Sequence, residues 1–134
     1  MSEEIVIDAE GAVLGRLASY AAKQALLGKS IVIVNCEKAV ITGRRRFIIE
    51  DYKEKRGRGG ASLNGPHFPK SSERIVKRTI RGMLSYTQGR GLAAFKRIIC
   101  HDKTPKEYEA AKKITLVREL KTRSLGLSEV SKEL

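Results

Sequence analysis

In the stretch ERIVKRTIRGMLSY, from Glu73 to Tyr86, four cations fall within two helical turns. Val76, Ile80, Met83 and Leu84 stand at i, i+4, i+7 and i+8 and make one apolar stripe, while Arg74, Lys77, Arg78 and Arg81 cluster on the opposite side. An ordinary solvated face mixes signs, often as i,i+4 Glu–Lys pairs. Here only Glu73 is acidic, and it sits at the very start. Like charges at this spacing repel by about a few tenths of a kcal/mol per pair, a penalty that a bound polyanion reverses. A second basic stretch, VITGRRRF from Val40 to Phe47, places Arg44, Arg45 and Arg46 just after a glycine turn, where a helix begins. A helix N-terminus and a guanidinium both seek an anion. The chemistry that suits both stretches is the holding of phosphate oxygens, which the planar guanidinium fork matches.

The charge map supports this. The chain has 134 residues and a formal charge of +12. Residues 44–58 carry a net +4 and residues 70–97 a net +7, whereas residues 1–43 are net −1. Charge so placed describes a polyanion-binding face rather than general solubility. Further cations lie beside loops: Arg56, Arg58, Lys70, Arg90, Lys96 and Arg97. Aromatic residues make up 5% of the chain and tryptophan is absent, so a stacking platform for single strands is not expected. His67 or Phe68 could meet a base or ribose; Phe68 could equally pack on the domain. The expected target is folded RNA or duplex, read by backbone and shape. No signature of a sequence-specific DNA reader is present.

The elements that must position these cations follow from apolar periodicity. Ile5-Val6-Ile7-Asp8 reads as a strand. Leu14, Leu17, Ala18, Ala21 and Ala25 recur at helical spacing, and Gly28 follows as a C-cap. Ile31-Val32-Ile33-Val34 is apolar throughout, as in a strand covered on both faces. A short extended piece over 39–41 leads to a helix over 44–56 with Phe47, Ile48 and Tyr52 as its buried edge. Residues 57–72, with four glycines and two prolines, form a long loop. A helix then runs from Ser72 to Leu84 or Tyr86. Gly89-Arg90-Gly91 breaks the chain before a helical turn over 93–97. A strand at 98–100, a polar helical piece over 105–113 and an extended 114–117 complete the pattern. This is α/β with a parallel sheet, in a single domain over 1–134 whose residues 118–134 form a peripheral tail.

Other chemistry is weakly represented. Gly11 and Gly15 stand between strand and helix but lack the paired glycines of a dinucleotide fingerprint, so Gly15 is read as a close-packing site. There is no phosphate-binding G-x-x-x-x-G-K motif and no G-x-S-x-G elbow. His67 and His101 have no identifiable nucleophile or ligand set. Asp8 is better placed to cap a turn or pair with an arginine than to act as a base. Cys36 and Cys100 form no metal-binding spacing and are expected as reduced thiols, although they could meet in the fold. No apolar run approaches the roughly 20 residues of a membrane span. The acidic N-terminus has no signal-peptide layout, so a cytoplasmic location is expected.

Four motifs, IDAEGAVLGRLAS (Ile7–Ser19), VNCEKAVITG (Val34–Gly43), KRTIRGML (Lys77–Leu84) and GRGLAAF (Gly89–Phe95), resemble the large-subunit ribosomal protein thirteen family in its archaeal form. They occur in the family's order and the resemblance covers about Ile7 to Val117. It implies a three-layer α/β/α fold with a four-stranded parallel sheet. It implies binding to large-subunit ribosomal RNA, neighbouring ribosomal proteins as partners, no catalysis, no cofactor and no small-molecule substrate. The family's glycine-basic turn falls on Gly43 and Arg44, its basic helix on Lys77, Arg78 and Arg81, and its second glycine-rich turn on Arg90. Where the family usually has proline after Gly-Met-Leu, this chain has Ser85. The acidic N-terminus and the mixed-charge tail are the segments expected to meet neighbouring proteins. The competing readings are an α/β enzyme acting on a phosphorylated or nucleotide substrate, and a general basic DNA binder.

Overall fold

The computed structural model describes residues 4–57, 70–116 and 123–133, with the backbone alone for residues 56 and 57. Most of the expected loop 57–72, with Arg58, His67 and Phe68, lies outside the described residues, as does the side chain of Arg56.

Strand β1 (Glu4–Asp8), helix α1 (Leu14–Leu26) and strand β2 (Ser30–Val34) form the first β-α-β unit. Strand β3 (Val40–Thr42) and helices α2 (Arg45–Gly57), α3 (Ser72–Gly82) and α4 (Gly89–Lys96) follow. Strands β4 (Ile98–Cys100), β5 (Lys113–Thr115) and β6 (Ser124–Gly126) and helix α5 (Leu127–Glu133) complete the order. Four strands make a parallel sheet in the order β4-β2-β1-β5, with Ile7 paired to Ile33 and Ile33 to Cys100. The expected α/β class and four-stranded parallel sheet are therefore found.

Alternation along the strands sends Ile5, Ile7, Ile31, Ile33 and Ile98 to one face, where α1 buries Leu17, Ala18, Ala21 and Ala25 against them. Helices α3 and α4 pack on α1 in the same layer. Burying a side chain such as Leu17 contributes roughly 1.5–3 kcal/mol. Val6, Val32 and Val34 point to the other face, under Tyr108 and Ala111. Among the described residues this layer is thin. The helical piece expected over 105–113 is a single 3-10 turn, Lys106–Tyr108, because so few of its side chains find an apolar surface to hold it.

Helix α1 ends as its glycine requires. Gly28 adopts φ +96°, its N–H donates to Ala25 and that of Lys29 donates to Gln24, a Schellman pair. At the carboxyl ends of β1 and β2, Asp8 Oδ1 accepts from the Glu10 N–H and from Asn35 Nδ2, both at 3.0 Å, and Thr104 Oγ1 donates to Asn35 Oδ1. Asp8 thus caps a turn, as its position suggested. Gly15 is not a close-packing site: a Cβ there would meet nothing within 4 Å. Cys36 and Cys100 do meet, as free thiols, and the Cys100 thiol followed by burial pushes Cys36 upward.

Three further elements differ from the sequence expectation. Helix α3 ends at Gly82 even without a proline, and Met83 and Leu84 N–H groups close the end on Ile80 and Arg81 carbonyls. Helix α4 starts at Gly89, so the glycines taken as a break lie inside it. Gly91 has a steric role, because a Cβ there would overlap the Ser85 carbonyl, whereas a Cβ on Gly89 would meet nothing within 4 Å. Gly91→Ala should therefore destabilise the protein by about 3 kcal/mol, the upper part of the overpacking range; a urea midpoint equal to the parent's would remove this reason for the glycine. Lastly, residues 123–133 are not a loose tail. Strand β6 pairs antiparallel with β3, and Leu127 and Val130 of α5 are fully buried. Two apolar residues three apart made too weak a periodic signal to show this.

Candidate nucleic-acid interface

The turn from β3 into α2 is shaped by Gly43, at φ +130°, a conformation open mainly to glycine. Its N–H donates to the Arg123 carbonyl at 2.8 Å, which ties the turn to the strand before α5. The three arginines that follow have separate fates. Arg45 donates to Glu133 at 3.0 Å and lies 3.6 Å from Glu129, both on α5. Arg46 pairs with Glu50 at 3.1 Å, one turn along its own helix. Arg44 is exposed and makes no ion pair among the described residues, while its carbonyl accepts the first helical bond, from Ile48. Exposed ion pairs of this kind are worth about 0–1 kcal/mol each, so Arg45 and Arg46 are held only lightly.

Helix α2 seats Ile48 and Tyr52 against Leu125 and Val130. Phe47 is 61% exposed, contrary to its expected place in the buried edge. It lies about 100° around the helix from Ile48, outside the arc that α5 covers.

On α3 the buried side is Ile75, Val76 and Ile80, with Leu84 just beyond; of the expected stripe Val76, Ile80 and Leu84 are buried, while Met83 is exposed and Ile75 is buried in its stead. Arg74 is exposed. Arg81 stacks over the Tyr86 ring at 5.0 Å. Arg78 is drawn below its ordinary range by burial and then by the charge of Arg81. The same Arg78 charge acts on Tyr52 of α2, whose hydroxyl burial raises. The α2 and α3 basic segments therefore lie close enough for Tyr52 and Arg78 to feel each other's charge.

Two expected phosphate ligands are turned inward. Lys77 donates to the carbonyls of Ile98 and Phe95 and lies 4.6 Å above the Phe95 ring, and burial lowers its pKa. Arg97 donates to the Ala25 carbonyl at 2.9 Å, joining the start of β4 to the end of α1. Charge alone does not distinguish such ties from surface contacts. Lys70, Arg90 and Lys96 are exposed.

The start of α3 is capped from a distance, with Asp102 Oδ1 accepting the Glu73 N–H at 3.0 Å. Burial and then the neighbouring Glu73 push the Asp102 carboxyl up to about 6, while the same contact holds Glu73 low. A carboxyl raised from 3.8 to about 6 favours the fold when protonated, so its contribution is fully present below pH 4 and is lost as pH rises through about 6. Glu73 has the opposite sign, and its contribution is lost only as pH falls below its ordinary range. Asp102→Asn keeps an oxygen for the Glu73 N–H, and so should flatten the stability decline between about pH 4 and 6. Urea midpoints across that interval test it; an unchanged decline would place the titrating group elsewhere.

These features define a basic α/β domain whose exposed cations border a turn and a helix end. A family profile described as ribosomal protein L13 matches residues 2–107. The large ribosomal subunit protein uL13 of Methanosarcina barkeri is 50% identical over 112 residues, covering 83% of this chain and 79% of the relative. Those of Archaeoglobus fulgidus and Methanocaldococcus jannaschii are each 45% identical over 96% of this chain, and over 86% and 96% of the relatives. The chain belongs to the ribosomal protein L13 family. This is a family of ribosomal structural proteins, so the enzyme reading is not supported.

Proposed function

We propose that this protein is a structural constituent of the large ribosomal subunit that binds large-subunit rRNA and neighbouring ribosomal proteins. The relatives bear the name of that subunit. The observation that carries the RNA assignment is the set of exposed cations without ion pairs among the described residues: Arg44 at the turn, Arg74 on α3 and Arg90 on α4, with Arg81 over the Tyr86 ring. Guanidiniums carried on folded elements suit the phosphates of a structured RNA. Lys70 and Lys96 add to the field, and Arg56 and Arg58 follow from their place in the same basic block. Lys77 and Arg97 support the face by fixing α3 and β4 rather than by touching RNA.

The test is binding to transcribed large-subunit rRNA as salt is varied. Each phosphate neutralised contributes roughly 0.7–0.9 to the slope of log affinity against log salt. A slope of about −4 or steeper is expected, with structured rRNA preferred over duplex DNA at fixed salt. A slope near −1, or equal affinity for DNA, would overturn the assignment.

A further inference from the structure

One surface of the molecule is apolar where its surroundings are basic. The last turns of α1, the residue after α3 and the start of α4 enclose an open groove of about 650 Å³ lined by Ala22, Leu26, Leu27 and Met83, with Lys23 and Arg90 at its rim. Leu27 is 63% exposed and Met83 45% exposed. Neither is demanded by its helix. Leu27 precedes the Gly28 cap and Met83 follows Gly82, and both ends are closed by backbone hydrogen bonds that any side chain permits. Ala22 and Leu26 stand four apart on α1, offset from the stripe of Leu14, Leu17, Ala18, Ala21 and Ala25 that faces the sheet. Ala22 is itself buried in the main core and Leu26 packs against that core, so the groove floor is the core's flank, which Leu27 and Met83 extend into solvent.

The occupant can be read from chemistry. Hydrocarbon on the floor offers nothing to a phosphate and would strip its water without compensation. The rim has two cations and no acid. A volume within the 300–1,000 Å³ range of concave binding sites accepts a few aliphatic side chains. We propose that this groove docks a segment of a neighbouring large-subunit protein that presents aliphatic anchors flanked by Asp or Glu, the anchors on Leu26, Leu27 and Met83 and the acids on Lys23, while Arg90 at the same rim keeps its rRNA phosphate. The inference rests on the ribosomal assignment above. It moves the protein contact away from the C-terminal residues, where Glu129 and Glu133 are already engaged by Arg45.

The test places the photoreactive residue p-benzoylphenylalanine at Leu27, or in a second variant at Met83, in chains assembled into large subunits. Both positions are exposed, so the fold tolerates the change. Irradiation should join each variant to one and the same ribosomal protein, at a peptide with an aliphatic residue at the link and acids close by. Lys23→Glu should lower that yield severalfold and Lys23→Arg should restore it. Links to rRNA, or no links from subunits that contain the chain, would overturn the groove proposal while leaving the ribosomal reading intact. A yield indifferent to Lys23→Glu would overturn the acidic character of the partner. Failure of the chain to enter subunits would count against the ribosomal reading, and the groove proposal would fall with it.

Discussion

Arg78→Glu combined with Arg81→Glu should weaken binding to large-subunit rRNA on the order of 10²-fold at 0.1 M salt and make the salt slope shallower by about two. The magnitude follows from removing two phosphate contacts from a counterion-release equilibrium; the reversed charges add repulsion. Arg78 is already drawn down by burial and by its neighbour Arg81, so the free protein bears a repulsion that phosphate relieves. The fold should survive, because α3 holds its place through Ile75, Val76 and Ile80. Far-ultraviolet circular dichroism and urea midpoints check that condition, and filter binding over a salt series reads the effect. Affinity and slope equal to the parent's would show that α3 is not a contact face. Lys77→Glu serves as a contrast. Its side chain is committed to the Ile98 and Phe95 carbonyls, so its loss should appear first as reduced stability.

Leu127→Ala should cost about 2–5 kcal/mol of stability, the range for deleting most of a fully buried leucine. Leu127 is completely buried in the main core, and its N–H donates to the Ala39 carbonyl at 2.9 Å. It fastens the junction of β6 and α5 to the segment before β3. Glu129→Gln with Glu133→Gln should by comparison cost no more than about 1 kcal/mol, since those acids form exposed pairs with Arg45. Chemical denaturation of both variants separates the cases. A Leu127→Ala loss below that of the double glutamine variant would mean that α5 is an appendage.

Much of the architecture was legible because its signals are local. A run of four β-branched residues announces β2, a 3.6-residue apolar repeat announces α1, and Gly28 announces where that helix stops. The basic helix was legible for the same reason, since its cations and apolar residues alternate with helical period. What stayed hidden depends on partners distant in sequence. Phe47 looked like core until Leu125 and Val130 proved to cover only the adjoining side of α2. Lys77 looked like a phosphate ligand until α4 and β4 each set a carbonyl in its reach, those of Phe95 and Ile98. Among three adjacent arginines, Glu50 four residues on makes the pairing of Arg46 readable locally, but nothing local shows that Arg45 has acidic partners and Arg44 none among the described residues, because Glu129 and Glu133 lie more than eighty residues away. Gly91 carried a readable residue type, yet its meaning required Ser85 on the neighbouring turn.

The bond from the Gly43 N–H to the Arg123 carbonyl has a consequence for the order of events during synthesis. Chains emerge N-terminus first at about 5–20 residues per second. Arg44 to Arg46 are therefore made on the order of ten seconds before the β6 strand and α5 helix that hold their turn in shape. Throughout that interval the nascent chain carries the charge of a polyanion binder without its geometry. Closing β6 against β3 converts an unstructured polycation into a shaped surface. Residues 123–133 thus work as a clasp that makes the form of the arginine turn conditional on a segment made some eighty residues later.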